Sequence, residues 1–436
     1  MYTPQRLFGE VGSSSDILSH EPFLERARLQ REQEHDGSAR LALGAYVVAR
    51  LIDKLLAMET DSVALDGFLW QLEAVRRHVA ELPVDVPETA HLAGVVAAVP
   101  AEGGPTPSLW MSLTAYAYFL EHEGRLEESL EILTQAARVQ GRKTPAPDFT
   151  AYALFAGRLN RQLARWDVAT SCYGAAEEAA SKTGDQVAAL RGRLGKGAVH
   201  RGQGNYPLAR SIAEDVVRDA TALQLPDAQA LAYADLGTIY NFQGLRMEAL
   251  KAHYQAFRLT RDSLQRMRTL SDLAIDLSEI GAYEAARLAF EIVINSNTSN
   301  LVRVNALLEM MDLESSAGNR VAFERCRNAV GQTNAVGQTY DSLSPTIATD
   351  FQYKLGIGLA RFGQLGRARE ALQSALALAE ANRLNAWYFK IEQALEQLTA
   401  RQDNELAQQK ALAASEVPVI DQVMVGLREY AALAEA

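Results

Sequence analysis

The 436-residue chain has only two cysteines, Cys172 and Cys326, far apart and in no CxxC or zinc-type spacing. That excludes a disulfide framework, and both thiols are expected to be small buried side chains in a reducing compartment. Histidine is scarce as well. His20, His35, His78, His91, His122, His200 and His253 show no HExxH or other ligand spacing and read as surface or packing residues. No apolar run approaches membrane-spanning length, so no membrane partner is expected. The start, MYTPQRLFGEVGSSSD, lacks the basic stretch and apolar core of a signal peptide, which points to the cytoplasm. Positive charge is not in excess either: 43 Lys and Arg against 54 Asp and Glu leave a net charge of −11. Without a basic footprint, direct nucleic-acid binding is not expected. Nucleophile motifs such as Gly-x-Ser-x-Gly are missing, and paired acids such as Glu127-Glu128 and Glu177-Glu178 read as solvated charge. The expectation is a protein with no enzymatic activity, no metal and no cofactor.

What the chain does have is a ladder. Between about Ser108 and Ala400 a unit recurs, most visible at its turn: HEGRLEES, QLARWDVA, GQGNYPLA, FQGLRMEA, EIGAYEAA, SAGNRVAF and RFGQLGRA. The residues two after the turn's small residue are Leu126, Trp166, Tyr206, Arg246, Tyr283, Arg320 and Leu365, in steps of 40, 40, 40, 37, 37 and 45 residues. The longest step contains GQTNAVGQTYDSLSP, which reads as a longer connecting loop. Seven residues before each turn stand Ala117, Gly157, Gly197, Gly237, Ala274, Met311 and Gly356, nearly all small enough for a neighbouring helix to approach. Two helical turns into the second half stand Ala136, Ala176, Val216, Ala256, Val293, Val330 and Ala375, all on one helix face. Each unit is therefore a pair of antiparallel helices. Close approach at Gly237 implies that Gly237→Leu is destabilising and Gly237→Ala mild.

The ladder also disposes of a tempting motif. GRLGKGAVHRGQGNYPLA looks like a phosphate-cradling loop, but Gly197 and Gly204 fall on rungs, and Gly195-Lys196 is followed by Gly197 rather than Ser or Thr, with helix rather than strand before it. Lys196 is expected to have no phosphate role. Gly192, Gly195 and Gly202 lie off the ladder and read as loosening their helix.

The stretch LAYADLGTIYNFQGLRMEALKAHYQAF, with Leu236, Gly237, Tyr240, Gly244, Ala249 and Ala256 in place, resembles the tetratricopeptide repeat (TPR), and the resemblance covers about two-thirds of the chain. The unit around Met311 and Phe323 departs from the pattern. Units near 40 residues, longer than the usual ~34, are similar to those of bacterial Rap-type peptide receptors and of the sensor regions of bacterial transcription activators. The resemblance implies an all-α fold, a right-handed superhelical solenoid of about seven TPR-like helix pairs, which binds a peptide, protein or small ligand in a concave groove. The expected organisation is a loosely ordered segment over 1–36, an N-terminal helical cap or small bundle over 37–100, the repeat array over 108–400, and a C-terminal capping helix and tail over 401–436.

In such a fold the first helix of each pair lines the groove. Carrying the ladder through places Arg158, Arg161, Arg191 and Arg201 there toward the N-terminal side, and Asp235, Asn241, Asp272, Glu279, Glu309 and Asp312 toward the C-terminal side. Opposite charges along one channel would orient a dipolar ligand such as a short peptide. Reversing Arg158 and Arg201 together is expected to weaken an anionic ligand and to leave stability almost unchanged. The function read from this is a non-enzymatic protein- or peptide-binding module, a regulatory receptor or scaffold, with a homodimer left open. The alternatives are the sensor fragment of a transcription regulator, for which no helix-turn-helix is visible, and an enzyme with a site in the N-terminal region.

Overall fold

The computed structural model describes residues 19–32, 36–57, 62–100, 106–123, 125–140, 146–296, 298, 300–332, 345–381, 385–400 and 418–434. The expected loop within 331–345 and the sequence features over 1–18 and 401–417 fall largely or wholly outside them. Among the described residues every regular element is a helix. In chain order these are α1 (Glu21–Glu32), α2 (Asp36–Ala57), α3 (Ser62–Ala80), α4 (Pro87–Ala98), α5 (Pro107–His122), α6 (Leu126–Gln140), α7 (Ala146–Gln162), α8 (Trp166–Thr183), α9 (Gln186–Gly202) and α10 (Tyr206–Ala222). There follow α11 (Pro226–Phe242), α12 (Arg246–Leu259), α13 (Ser263–Glu279), α14 (Tyr283–Asn295), α15 (Asn300–Ser316), α16 (Arg320–Gln332), α17 (Pro345–Arg361), α18 (Leu365–Ala381), α19 (Asn385–Ala400) and α20 (Pro418–Ala434).

Leu126, Trp166, Tyr206, Arg246, Tyr283, Arg320 and Leu365 each open the second helix of a pair. The turn before them has a fixed geometry. Gly204, Gly244, Gly281, Gly318 and Gly363 all have φ between 73° and 83°, the left-handed conformation in which glycine has no Cβ penalty. The amide one residue on then reaches back to a carbonyl of the last turn, as Asn205 N does to His200 O at 2.9 Å and Leu245 N to Tyr240 O at 2.9 Å. Ala164 stands at the same place with φ 56° and makes the same closing bond, Arg165 N to Asn160 O at 2.8 Å. An alanine there carries the strain that glycine avoids. Ala164→Gly is expected to stabilise the protein by about 0.5–1 kcal/mol, read as a higher denaturation midpoint.

The chain divides into two compact units, Met1–Ala209 and Arg210–Ala436. In the first, one continuous core runs from Phe23 of α1 through Ala179 of α8. Residues 21–32, expected to be loosely ordered, instead form α1, and the reason is buried polar chemistry that hydropathy patterning does not register. His20, fully buried, lies 2.8 Å by Nδ1 from Glu131 and 3.0 Å by Nε2 from Asp53. Burial alone would lower its pKa, but hydrogen bonds to Asp53 and Glu131 outweigh that and raise it above the ordinary histidine value. Arg26 of α1 and Arg125 before α6 both grip Glu88 of α4 and Glu128 of α6, at 2.5 to 3.1 Å. Tyr116 of α5 donates its hydroxyl to Glu88 at 2.7 Å. Glu128, half of a pair of acids expected to be solvated, is thus 4% exposed.

The glycines of α9 also have a packing role rather than a loosening one. A Cβ on Gly195 would run into the Tyr173 ring of α8, one on Gly202 would lie 2.7 Å from the Trp166 ring, and one on Gly192 3.0 Å from the Tyr173 carbonyl. They let α9 lie close against α8. Tyr173 also fills the space over Gly157 of α7, where a Cβ would be 2.8 Å from its ring.

In the second unit the first helices α11, α13, α15, α17 and α19 touch in succession, while α12, α14, α16 and α18 each lie against the first helix of their own pair. Gly237 of α11 packs under the imidazole of His253 on α12, and a Cβ on Gly356 of α17 would lie 2.6 Å from Leu372 on α18. Val423 and Leu427 of α20 are buried in the core that α12 to α17 share, and Tyr430 packs edge to face on Phe257 at 5.5 Å.

Candidate binding faces

Each expected groove residue lies on a first helix: Arg158 and Arg161 on α7, Arg191 and Arg201 on α9, Asp235 and Asn241 on α11, Asp272 and Glu279 on α13, Glu309 and Asp312 on α15. All four arginines belong to the first unit, and the acids and Asn241 to the second.

In the first unit the arginines are not equivalent. Arg158 is paired with Glu121 of α5 at 2.5 and 2.8 Å and lies over the Phe155 ring at 4.8 Å and the Tyr118 ring at 5.7 Å, two rings that themselves stack at 4.1 Å. Burial would lower its pKa, but the Glu121 carboxylate keeps it above the ordinary arginine value. Reversing Arg158 would set a carboxylate against Glu121 and empty that stack, so the Arg158 and Arg201 double reversal cannot leave stability untouched. Arg161 differs, because its Nε is buried with no hydrogen-bond partner. Arg191 is exposed and forms no ion pair among the described residues. Arg201 stands on α9 at the register that Arg161 holds on α7, three residues before the turn.

In the second unit the acids are interlocked with bases that the sequence reading did not single out. Lys354 of α17 donates to Glu309 at 2.7 Å and to Asp350 at 2.8 Å, and Arg361 holds Asp312. Burial would pull Lys354 down, yet the two carboxylates hold it well above the ordinary lysine value. Glu309 is itself raised, because burial outweighs its lysine. Glu279 pairs loosely with Arg246 at 3.8 Å. Asn241 donates through Nδ2 to Asp276 at 2.5 Å, and its Oδ1 is buried with no partner. Asp276, fully buried, also accepts from His253 Nδ1 at 2.5 Å, while His253 Nε2 faces the Ala234 carbonyl at 3.2 Å. An acceptor faces each nitrogen, and Asp276 raises the pKa of the ring above the ordinary histidine value against the effect of burial. The signal for Lys354 and Arg361 was present in the ladder: they stand at the register of Glu309 and of Glu279 in their own pair, nine and two residues before Gly363.

The motif around Lys196 resolves the same way. Lys196 Nζ lies 2.6 Å from Glu177 of α8, an ion pair across neighbouring helices. Burial pushes the Cys172 thiol up to about 12 and that of Cys326 up to about 11, which leaves both as unreactive thiols at neutral pH. No group of three or more His, Cys, Asp or Glu among the described residues is arranged to hold a metal ion, and no helix among them is long and apolar enough to cross a membrane.

Antiparallel pairs of this length, closed by a left-handed turn residue and packed through a small residue in the first helix, define an all-α array of TPR-like helix pairs. No family model matches the chain, and no curated protein does. Among solved structures it is similar to the Rap conjugation gene regulator of the plasmid pLS20 in complex with a peptide, at TM-score 0.49 and 12% identity, covering 79% of this chain and 97% of that one. It is similar also to NprR in complex with its cognate peptide NprX, at TM-score 0.48 and 13% identity over 84% and 99%. A third likeness is to a signal transduction ATPase with a tetratricopeptide repeat sensor from Pyrococcus horikoshii, at TM-score 0.42 and 13% identity over 89% and 69%.

Proposed function

We propose that the protein is a non-enzymatic binding module, a regulatory receptor or scaffold that takes a peptide or protein segment on its first-helix faces. The observation that carries this is that Arg161 Nε in the first unit and Asn241 Oδ1 in the second, both on first helices, are buried polar atoms without partners. Buried polar groups are nearly always hydrogen-bonded, and an unpartnered guanidinium N–H is an expensive exception. The complement of Arg161 is a carboxylate, such as an acidic side chain or a free C-terminus, and that of Asn241 Oδ1 is an N–H such as a peptide amide. Asp276 fixes the Asn241 amide so that its carbonyl is presented rather than free to rotate.

The test is a selection from a random peptide display library on the full-length protein, followed by titration of the enriched peptide. Arg161→Gln is expected to weaken binding about 10- to 100-fold, the size of one lost charge-assisted hydrogen bond. The deficit should narrow only modestly as salt rises, since a partly buried charge is screened less than an exposed one. Failure to enrich any peptide, or unchanged affinity in both Arg161→Gln and Asn241→Ala, would sink the reading.

A further inference from the structure

The ammonium of Lys390 on α19 sits 4.5 Å from the centre of the Tyr353 ring and 4.7 Å from that of Trp387. The two rings meet edge to face, their centres 5.7 Å apart and their planes at 65°, as two walls of a corner between α17 and α19. The surrounding charges come from both α15 and α17. Asp350, one turn before Tyr353, accepts from Lys354 at Oδ2 and keeps Oδ1 buried with no partner. Glu309 shares the same Lys354, and Asp312 is held by Arg361. Aromatic faces attract cations through their quadrupoles, and most strongly where water is excluded.

Lys390 shows that the corner accepts an alkylammonium, yet it is a poorly satisfied occupant. Its side chain is exposed on a flexible stem, and no carboxylate lies within ion-pair distance of its nitrogen among the described residues. Desolvation of its ammonium beside the rings pulls its pKa below the ordinary lysine value, Asp350 opposes this, and neighbouring Lys354 adds to it. We propose that the corner formed by Tyr353 and Trp387 is a binding site for an alkylammonium group, the side chain of a lysine in a bound peptide, which enters by displacing Lys390. This deepens the reading of the second unit's first-helix face as a peptide-binding surface and rests on it.

The test uses the full-length protein and two small probes: choline, whose charge is permanent, and its neutral isostere with a quaternary carbon in place of nitrogen. The readout is the indole N–H resonance of Trp387, assigned by its loss in Trp387→Phe. Lys390→Ala, at an exposed helical position, is expected to bind choline about tenfold more tightly than wild type. Raising the pH into the alkaline range should tighten choline on wild type, as Lys390 gives up its proton, and leave Lys390→Ala unchanged. Tyr353, whose hydroxyl burial holds above its ordinary value, stays neutral as Lys390 titrates, and the other charged groups beside the corner are Asp350, Lys354, Glu309, Asp312 and Arg361. In a second arm, Gly-Lys-Gly should move the same resonance and Gly-Gln-Gly should not.

Equal choline affinity in Lys390→Ala and wild type, equal binding of the neutral isostere, or equal responses to the two tripeptides would overturn the proposal. Any of these with peptide selection still successful removes the corner alone, whereas failure of selection removes the wider reading.

Discussion

Glu88→Ala is expected to destabilise the protein by about 3–5 kcal/mol, read from the urea midpoint. The carboxylate is 2% exposed and is the shared acceptor for Arg26, Arg125 and the Tyr116 hydroxyl. Its removal leaves two guanidinium groups inside the first unit with Glu128 as their remaining acid partner. It also removes the ion pair by which Arg26 of α1 reaches α4. Glu88→Gln keeps the shape and one hydrogen-bond acceptor, so a loss nearly as large would show that charge matters more than volume. Burial would raise the Glu88 pKa, but Arg125 and Arg26 outweigh it and hold it at about 2, against an ordinary value of 4.5. A carboxylate depressed on folding contributes stability that is full above its unfolded value and is lost as the pH falls through its folded one. The Glu88 contribution should therefore fade between about pH 4.5 and 2, and the acid limb of the Glu88→Ala stability profile should be flatter than that of wild type. Parallel limbs would refute it.

Gly237→Leu is expected to cost about 3–5 kcal/mol, through overpacking and through the break it forces in a buried ion pair. Any Cβ at this position runs into the His253 imidazole. That ring cannot swing aside cheaply, being tied to Asp276 on one side and to the Ala234 carbonyl on the other. Gly237→Ala, expected from sequence to be mild, inherits the same collision, and a loss of about 1–3 kcal/mol is the corrected expectation. If both variants melt with wild type, the packing of α11 on α12 is not as described.

The two cases show what the sequence disclosed. The repeat was readable because it is a spacing: all seven residues at the small-residue rung of the first helix, Ala117 to Gly356, are buried, and so are all seven from Ala136 to Ala375 in the second. Period carries packing. It does not carry pairing, because the carboxylate of Glu128 looks the same on paper whether water or two arginines surround it. For the same reason α1 was missed, since it offers only Phe23 and Ala27 to the core and is otherwise held by ion pairs. The arginines expected in a groove stand on first helices, but only the three-dimensional structure distinguishes Arg158, already paired with Glu121, from Arg161, whose Nε has no partner.

Tyr173 belongs to one helix pair and is seated by two, between Gly157 of α7 and Gly195 of α9. In an array whose stability is a sum of unit terms and nearest-neighbour terms, a side chain of this kind is part of the coupling constant. Neither α7 nor α9 can open while the other holds the ring, so their amides should exchange with solvent as one cooperative block. Truncating Tyr173 to alanine would then split that block in two, turning a single unfolding step of the first unit into a staggered one.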